Sequence, residues 1–287
     1  MWDNKKLELA RSGSSSKLTE SQTKELIKHL AENTYQKVID ICAYVFATYG
    51  VNYSVPGMTD WLHSNKFSYK KPCGTPAKAD EEKQKAWIDY YEKNLKQLPH
   101  DEPVEFGDGV HPTMDTKVSF GWIRVAERKP IATTASRTRM NLMGSLNLKS
   151  MSLTIKNYES LNSDAMGEHF ALLRAKYPHA PVIRLILDQC RYNISAKTKK
   201  LAQDYGIKLH FLPPYSPNLN PIERLWKIMN EHVRNNRYFS TAKDFRKSIV
   251  EFFQQTWPSI SRSMASRIHD NFNLVKSPFW TLRCIQI

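Results

Sequence analysis

Three prolines, Pro213, Pro214 and Pro217, interrupt the chain between an apolar strand and an amphipathic helix, and they restrict the fold more than any other feature. Ahead of them Ile207, Leu209 and Phe211 alternate with Lys208 and His210, the period of a half-buried strand. Beyond them Asn220 is placed to cap a helix whose first residue is Pro221. Ile222, Leu225, Trp226, Met229 and Val233 recur at helical spacing and predict one buried stripe. Glu223 falls on the first turn, about 100° around the axis from Ile222. The stiff loop therefore delivers a carboxylate, at the edge of a core, to the end of a sheet.

The rest of the chain divides around this stretch. Residues 1–16 are expected to be a short remnant, Met1 to Arg11, followed by a flexible SGSSS linker. Residues 17–78 predict three helices and a basic turn. Thr19 and Gln22 form a capping box, a second apolar face runs from about Tyr35 to Thr48 and ends at Gly50, and Ser54 caps a third helix. Phe67 to Pro72 reads as a strand and turn. Three short helices and a basic hairpin describe a winged helix-turn-helix that binds DNA. Thr59 and His63 are its candidates for base contact, and Lys66, Lys70 and Lys71 its candidates for phosphate contact. Residues 79–102 predict a connector helix capped by Asp80. Residues 103–287 read as strands at Val104 to Asp108, Val118 to Val125, Met140 to Leu148, Ser152 to Ile155, Pro181 to Leu187 and Ile207 to Leu212. Helices alternate with the later strands, which gives an α/β domain with a mixed sheet flanked by helices.

Charge separates the two parts. The net charge is +14, but residues 1–102 hold 15 basic and 14 acidic residues, whereas residues 103–287 hold 27 and 14. A basic body of that size suits a polyanion, most simply nucleic acid. No apolar run approaches the ~20 residues that span a bilayer, so no membrane is expected. The charged start, Met1 to Arg11, does not read as a signal peptide. The four cysteines are widely separated with no CxxC pair, which argues against a zinc site or a disulfide framework and for a cytoplasmic chain.

Asp108, Asp188 and Glu223 each stand where a strand ends or a helix begins, and 34 residues (189–222) separate the last two. Hard divalent ions need several oxygen ligands converging on a small volume, and three acids from distant parts of the chain would supply them. Taken singly, each acid has a plainer reading. Asp108 and Asp188 could be turn residues, and Glu223 could complete a capping box or pair with Lys227. His111 reads as structural, and Glu231, opposite the apolar stripe, as solvated.

The segments LILDQCRYN and LHFLPPYSPNLNPIERLWK, with FGDGVHPTM before them, resemble the bacterial insertion-sequence branch of the mariner-like DDE transposases. GMTDWLHSNKFSYKKP resembles that family's second DNA-binding module, and the likeness runs from Leu18 onward. It implies a ribonuclease H-like core with catalytic, metal-holding Asp108, Asp188 and Glu223, and two Mg2+ ions for which Mn2+ can substitute. It also implies double-stranded DNA as partner, as terminal inverted repeats and as target at TA dinucleotides, handled by a homodimer associated with the nucleoid. Relatives of this kind carry a further helix-turn-helix ahead of the linker. Only Met1 to Arg11 stands in that place here, so discrimination of the ends is expected to be weak. The alternatives are a DNA-binding derivative no longer competent for transposition and a ribonuclease H-like nuclease with another substrate.

Overall fold

The structure is a computed structural model that describes residues 17–72, 74 and 76–274. The expected remnant and linker, residues 1–16, lie outside the described residues. The chain separates into two compact units, residues 1–73 and 74–287.

The first unit holds α1 (Glu20–Glu32), α2 (Val38–Tyr49) and α3 (Val55–Ser64). Thr19 and Gln22 make the predicted reciprocal cap on α1. Gly50 ends α2 in the left-handed region at φ 68°, where a side chain would be strained. Ser54 caps α3 through the N–H of Gly57. Leu26, Val45 and Met58 meet in a core with no solvent exposure, joined by Ile41 and Trp61. The expected strand at Phe67 to Pro72 is not formed, and among the described residues of this unit none lies in a strand. The reason is local. The N–H of Phe67 bonds back to the Leu62 carbonyl at 2.9 Å, Lys66 takes φ 66°, and the Phe67 ring stacks near Trp61 with centroids 6.5 Å apart. Phe67 thus closes the end of α3 instead of starting a ladder.

The second unit is built on a five-stranded sheet in the order β3-β2-β1-β4-β5. Its strands are β1 (Val104–Val110), β2 (Asn141–Asn147), β3 (Leu153–Tyr158), β4 (Ile183–Leu187) and β5 (Ile207–Phe211). The first three pair antiparallel, and β4 and β5 continue parallel to β1. The mixed sheet expected from the sequence is therefore present. On one face Met143, Leu185 and Leu187 pack with Phe170 and Leu173 of α5 (Ser163–Lys176) and, after the short α6 (Arg191–Ile194), with Ala202 of α7 (Ala196–Asp204). On the other face Trp87 and Tyr91 of α4 (Glu81–Asn94) join Phe106 and Ile186. There too lie α8 (Ile222–Met229) and α9 (Ala242–Glu251), whose Ile222, Trp226, Phe245 and Ile249 share a core with Leu142 and Leu146 of β2. α8 continues as a π-helical turn, Asn230–Arg234, so Val233 stays on the buried stripe. The chain then closes through α10 (Trp257–Ile260) and a 3-10 turn, Ser261–Ser266.

A second expected strand is absent as well. Val118 to Val125 has no regular structure, and Phe120 and Trp122 are fully exposed. A strand needs a neighbour to take its N–H and C=O groups. Here Lys117 makes only an isolated bridge to Asn235, and Ser119 N–H goes to the Asn236 side chain at 2.8 Å. The alternating apolar pattern mimicked a strand in what is the tip of a long β1–β2 loop. Glu231, read as solvated, accepts from Arg267 Nη2 with both carboxylate oxygens at 2.8 Å, though both residues stay largely exposed.

Candidate active site

β1 and β4 run parallel in a register that pairs Val104 with Arg184 and Phe106 with Ile186. The same offset carries Asp108 to the level of Asp188, just past the end of β4. Pairing between the two strands stops at Phe106, while Asp108 remains opposite Gly144 of β2. A crevice therefore opens between the carboxyl ends of two parallel strands, the place where sheets of this kind bind ligands. Side chains alternate across a strand, so Asp108 faces the same side as Phe106, toward α8.

The proline-rich loop fixes the third acid. Leu212 N–H bonds to the Leu187 carbonyl at 2.9 Å, and Gln189 Nε2 donates to the Leu212 carbonyl at 2.8 Å, which ties the loop to the end of β4. Pro217–Leu219 forms a 3-10 turn, and the cap of α8 is Pro221 rather than Asn220. The buried Asn220 side chain does something else: its Nδ2 donates to the Gly107 carbonyl at 3.2 Å, next to Asp108. The start of α8 is thereby pinned to β1, and Glu223 follows one turn later. Asp108, Asp188 and Glu223 line one cavity of about 440 Å³ together with Asn220, Gln189 and Tyr215.

Each carboxylate is held differently. Asp188 accepts at Oδ1 from Cys190 N–H at 3.1 Å and Asn193 Nδ2 at 2.8 Å, and at Oδ2 from Cys190 Sγ at 3.0 Å. Asp108 accepts at Oδ2 from Trp226 Nε1 at 2.8 Å. Burial, then the charges of Glu223 and Asp188, push the Asp108 carboxyl up to about 8, against the pull of the Trp226 and Gly109 N–H groups. Glu223 is also raised by burial and by Asp188, with Lys227 opposing. Burial and the neighbouring Asp188 push the Cys190 thiol up to about 12. Asp108 and Glu223, raised by burial and by neighbouring carboxylates, lie in a partly closed crevice short of positive charge, and the donor set is hard oxygen. Among the described residues no group of three or more His, Cys, Asp or Glu stands close enough together to hold a metal ion. Mg2+ is held through one or two carboxylates, with water and substrate phosphates as its other ligands, so two of these acids would be enough to hold it.

A pH dependence follows. A carboxyl whose folded value lies near 8, against an ordinary 3.8, stabilises the metal-free fold below about pH 4, and that contribution is lost as pH rises through about 8. A cation must displace the same proton, so divalent ions should bind better as pH rises. Melting with and without MgCl2 at pH 6 and pH 8.5 is expected to show the larger upward shift at pH 8.5. Equal shifts would contradict the assignment of the proton to this site.

The structure leaves His111 outside the cavity lining, where its Nδ1 meets Asn141 Oδ1 at 2.8 Å. In the first unit His63, Lys66, Lys70 and Lys71 are exposed, whereas Thr59 is half-buried and its hydroxyl donates to the Val55 carbonyl at 2.8 Å. Sequence reasoning missed the clamp on Asp188, although the spacing of Asp188, Cys190 and Asn193 is that of a side chain bonding its own following turn. It assigned Trp226 to the apolar stripe and missed its N–H.

Acids at the ends of two adjacent parallel strands, with a third on the helix that follows the next strand, mark a ribonuclease H-like mixed-sheet fold. A family model for the DDE superfamily endonuclease matches residues 103–246, half of the chain, and one for a winged helix-turn helix matches residues 32–91. The chain belongs to the DDE superfamily endonuclease family. It is similar to the insertion element IS630 uncharacterized 39 kDa protein of Shigella sonnei, 23% identical over 199 residues, 69% of this chain and 58% of the relative. It is also similar to the uncharacterized protein y4pE/y4sA of Sinorhizobium fredii, 37% identical over 83 residues, 29% of this chain and 59% of the relative. The chain thus spans less than two-thirds of the length of these curated relatives. Among solved structures it resembles the Mos1 strand transfer complex, with a TM-score of 0.61 at 16% identity, covering 89% of this chain and 77% of that one. It also resembles the mariner Mos1 paired end complex with Mg, with a TM-score of 0.59 at 13% identity, covering 92% and 84%. These likenesses carry the fold, and the resemblance to the mariner-like, insertion-sequence branch is borne out.

Proposed function

We propose that the chain is a DNA transposase that cuts at the terminal inverted repeats of its element and joins the freed ends to target DNA at TA dinucleotides. The observation that carries this reading is the convergence of Asp108, Asp188 and Glu223 on one cavity at the carboxyl ends of β1 and β4. Asp108, Asp188 and Glu223 would hold two Mg2+ ions, or Mn2+, as direct ligands. When bound, such ions activate the attacking oxygen and stabilise the leaving one at a phosphodiester. The protein's own part is placement. Asn193 and the Cys190 N–H hold Asp188, Asn220 anchors the start of α8, and the proline-rich loop forms the cavity wall. With water or a DNA 3′-OH as nucleophile no covalent intermediate with a side chain is needed.

Residues 17–78 are the DNA-binding module in this reading, 79–102 the connector and 103–287 the catalytic domain, acting as a homodimer on double-stranded DNA. No helix among the described residues is long and apolar enough to cross a membrane, and a chain that works on DNA belongs in the cytoplasm at the nucleoid. Thr59 and His63 would meet bases. Lys66, Lys70 and Lys71 would meet phosphates, each contributing a slope of about −0.9 in log affinity against log salt. Replacing Lys70 and Lys71 together by Glu should weaken every duplex alike and flatten the slope by about 2. Fluorescence anisotropy between 50 and 200 mM salt checks this, and an unchanged slope would remove these lysines from the interface. The function itself is tested by incubating the chain with a plasmid carrying the parent element's ends, a target plasmid and MgCl2, then sequencing the junctions. Insertions at TA support the reading; nicking without joined products would favour a nuclease.

A further inference from the structure

Trp226 sits three residues after Glu223 on α8, so one helical turn brings a carboxylate and an indole to the same side of the crevice. The indole is buried, and its placement depends on β2. Gly144 lies opposite Asp108 in the β1–β2 register, and a Cβ added there would stand 2.7 Å from Trp226 Cη2 and 3.3 Å from Cζ2. The missing side chain lets the ring lie against the strand, while Phe253 meets it edge-on at 6.2 Å and 83°. So confined, the ring directs its N–H to Asp108 Oδ2 at 2.8 Å. Trp61 and Trp87 are buried with Nε1 atoms that find no partner among the described residues, so they serve as bulk alone.

We propose that Trp226 is a positioning residue for the metal ligand Asp108. Its N–H occupies one carboxylate oxygen and fixes the plane of the group, which leaves the other oxygen to face a divalent ion. The proposal rests on the metal-dependent reading of the site given above. It adds that α8 sets the geometry of two of the three acids, Glu223 directly and Asp108 through Trp226, and that Gly144 is part of the same device. A group that orients a ligand without touching the ion typically controls metal affinity by about 10–100-fold.

The test uses the full-length chain, Mn2+ alone as probe, and isothermal titration as readout. Trp226→Phe removes the N–H and keeps an aromatic ring. Because Phe is smaller and can loosen the core, a second variant carries 3-benzothienylalanine at position 226, which keeps the bicyclic shape and has sulfur where the N–H was. Circular dichroism and melting establish that each variant is folded. The expected result is Mn2+ binding weakened about 10–100-fold in the benzothienyl variant with its melting temperature in the metal-free state close to that of the wild type. Unchanged Mn2+ affinity in that variant overturns the positioning role and leaves the metal site standing. A wild-type chain that binds no Mn2+ removes the site itself and the proposal with it.

Discussion

Asp188→Asn should abolish strand cleavage, a loss of about 10³-fold or more, and leave folding and DNA affinity unchanged. The local geometry predicts this separation. The carboxylate oxygen that accepts from Cys190 N–H and Asn193 Nδ2 can be kept by the amide oxygen. The new amide nitrogen then faces Cys190 Sγ, which can accept as well as donate. The clamp survives while the negative charge and one hard oxygen are lost. Asp108→Asn and Glu223→Gln should fall by similar amounts, and a double variant should fall little further, because the acids serve one site and removing any one disables it. Single-turnover cleavage of a labelled duplex measures both points. Small losses that add would mean that the acids act only as surface charge.

The second large effect concerns stability. Glu105 is fully buried on the face of β1 opposite Asp108, where its Oε1 accepts from Lys176 Nζ at 2.9 Å and from Tyr177 Oη at 2.5 Å. Its other oxygen has no partner among the described residues. Burial raises its carboxyl, and Lys176 and Tyr177 pull it back. Lys176→Met strands a buried charge and should cost about 3–5 kcal/mol at neutral pH. The sign with pH follows from the raised carboxyl. Its neutral form stabilises the fold below the ordinary carboxylate range, and that contribution disappears as pH rises through the raised value, which the substitution raises further. The deficit against wild type should therefore be largest at neutral pH and shrink near pH 4. Adding Glu105→Gln to Lys176→Met should recover most of it. Urea unfolding at the two pH values decides the matter, and a pH-independent deficit would show that Lys176 acts by packing alone.

Much of this architecture was legible because its signals are local. The caps at Thr19 and Ser54, the apolar run before Asp188 and the stripe on α8 depend on neighbours within one or two turns, and each element stands where the pattern placed it. What misled depends on partners distant in sequence. Val118 to Val125 alternates like a strand, but nothing lies beside it to pair with. Phe67 starts no strand because Trp61 offers its ring a place. Asn220 looked like a cap, and only the approach of Gly107, more than a hundred residues earlier, shows why its amide turns to β1. The positions of Asp108, Asp188 and Glu223 could be named from the sequence. Their common cavity could not, since it depends on the β1–β4 register and on the loop that returns α8 to the sheet.

In the proposed reading Asp108, Asp188 and Glu223 make a metal-dependent DNA-cutting site. Its most direct test is incubation of the full-length chain, wild type and Asp188→Asn side by side, with a duplex carrying the parent element's end, in MgCl2 and in EDTA. Strand cleavage leaving a 3′-OH is expected from the wild type in MgCl2, and none in EDTA or with the variant. Equal cleavage by the variant, or cleavage that persists in EDTA, would contradict it.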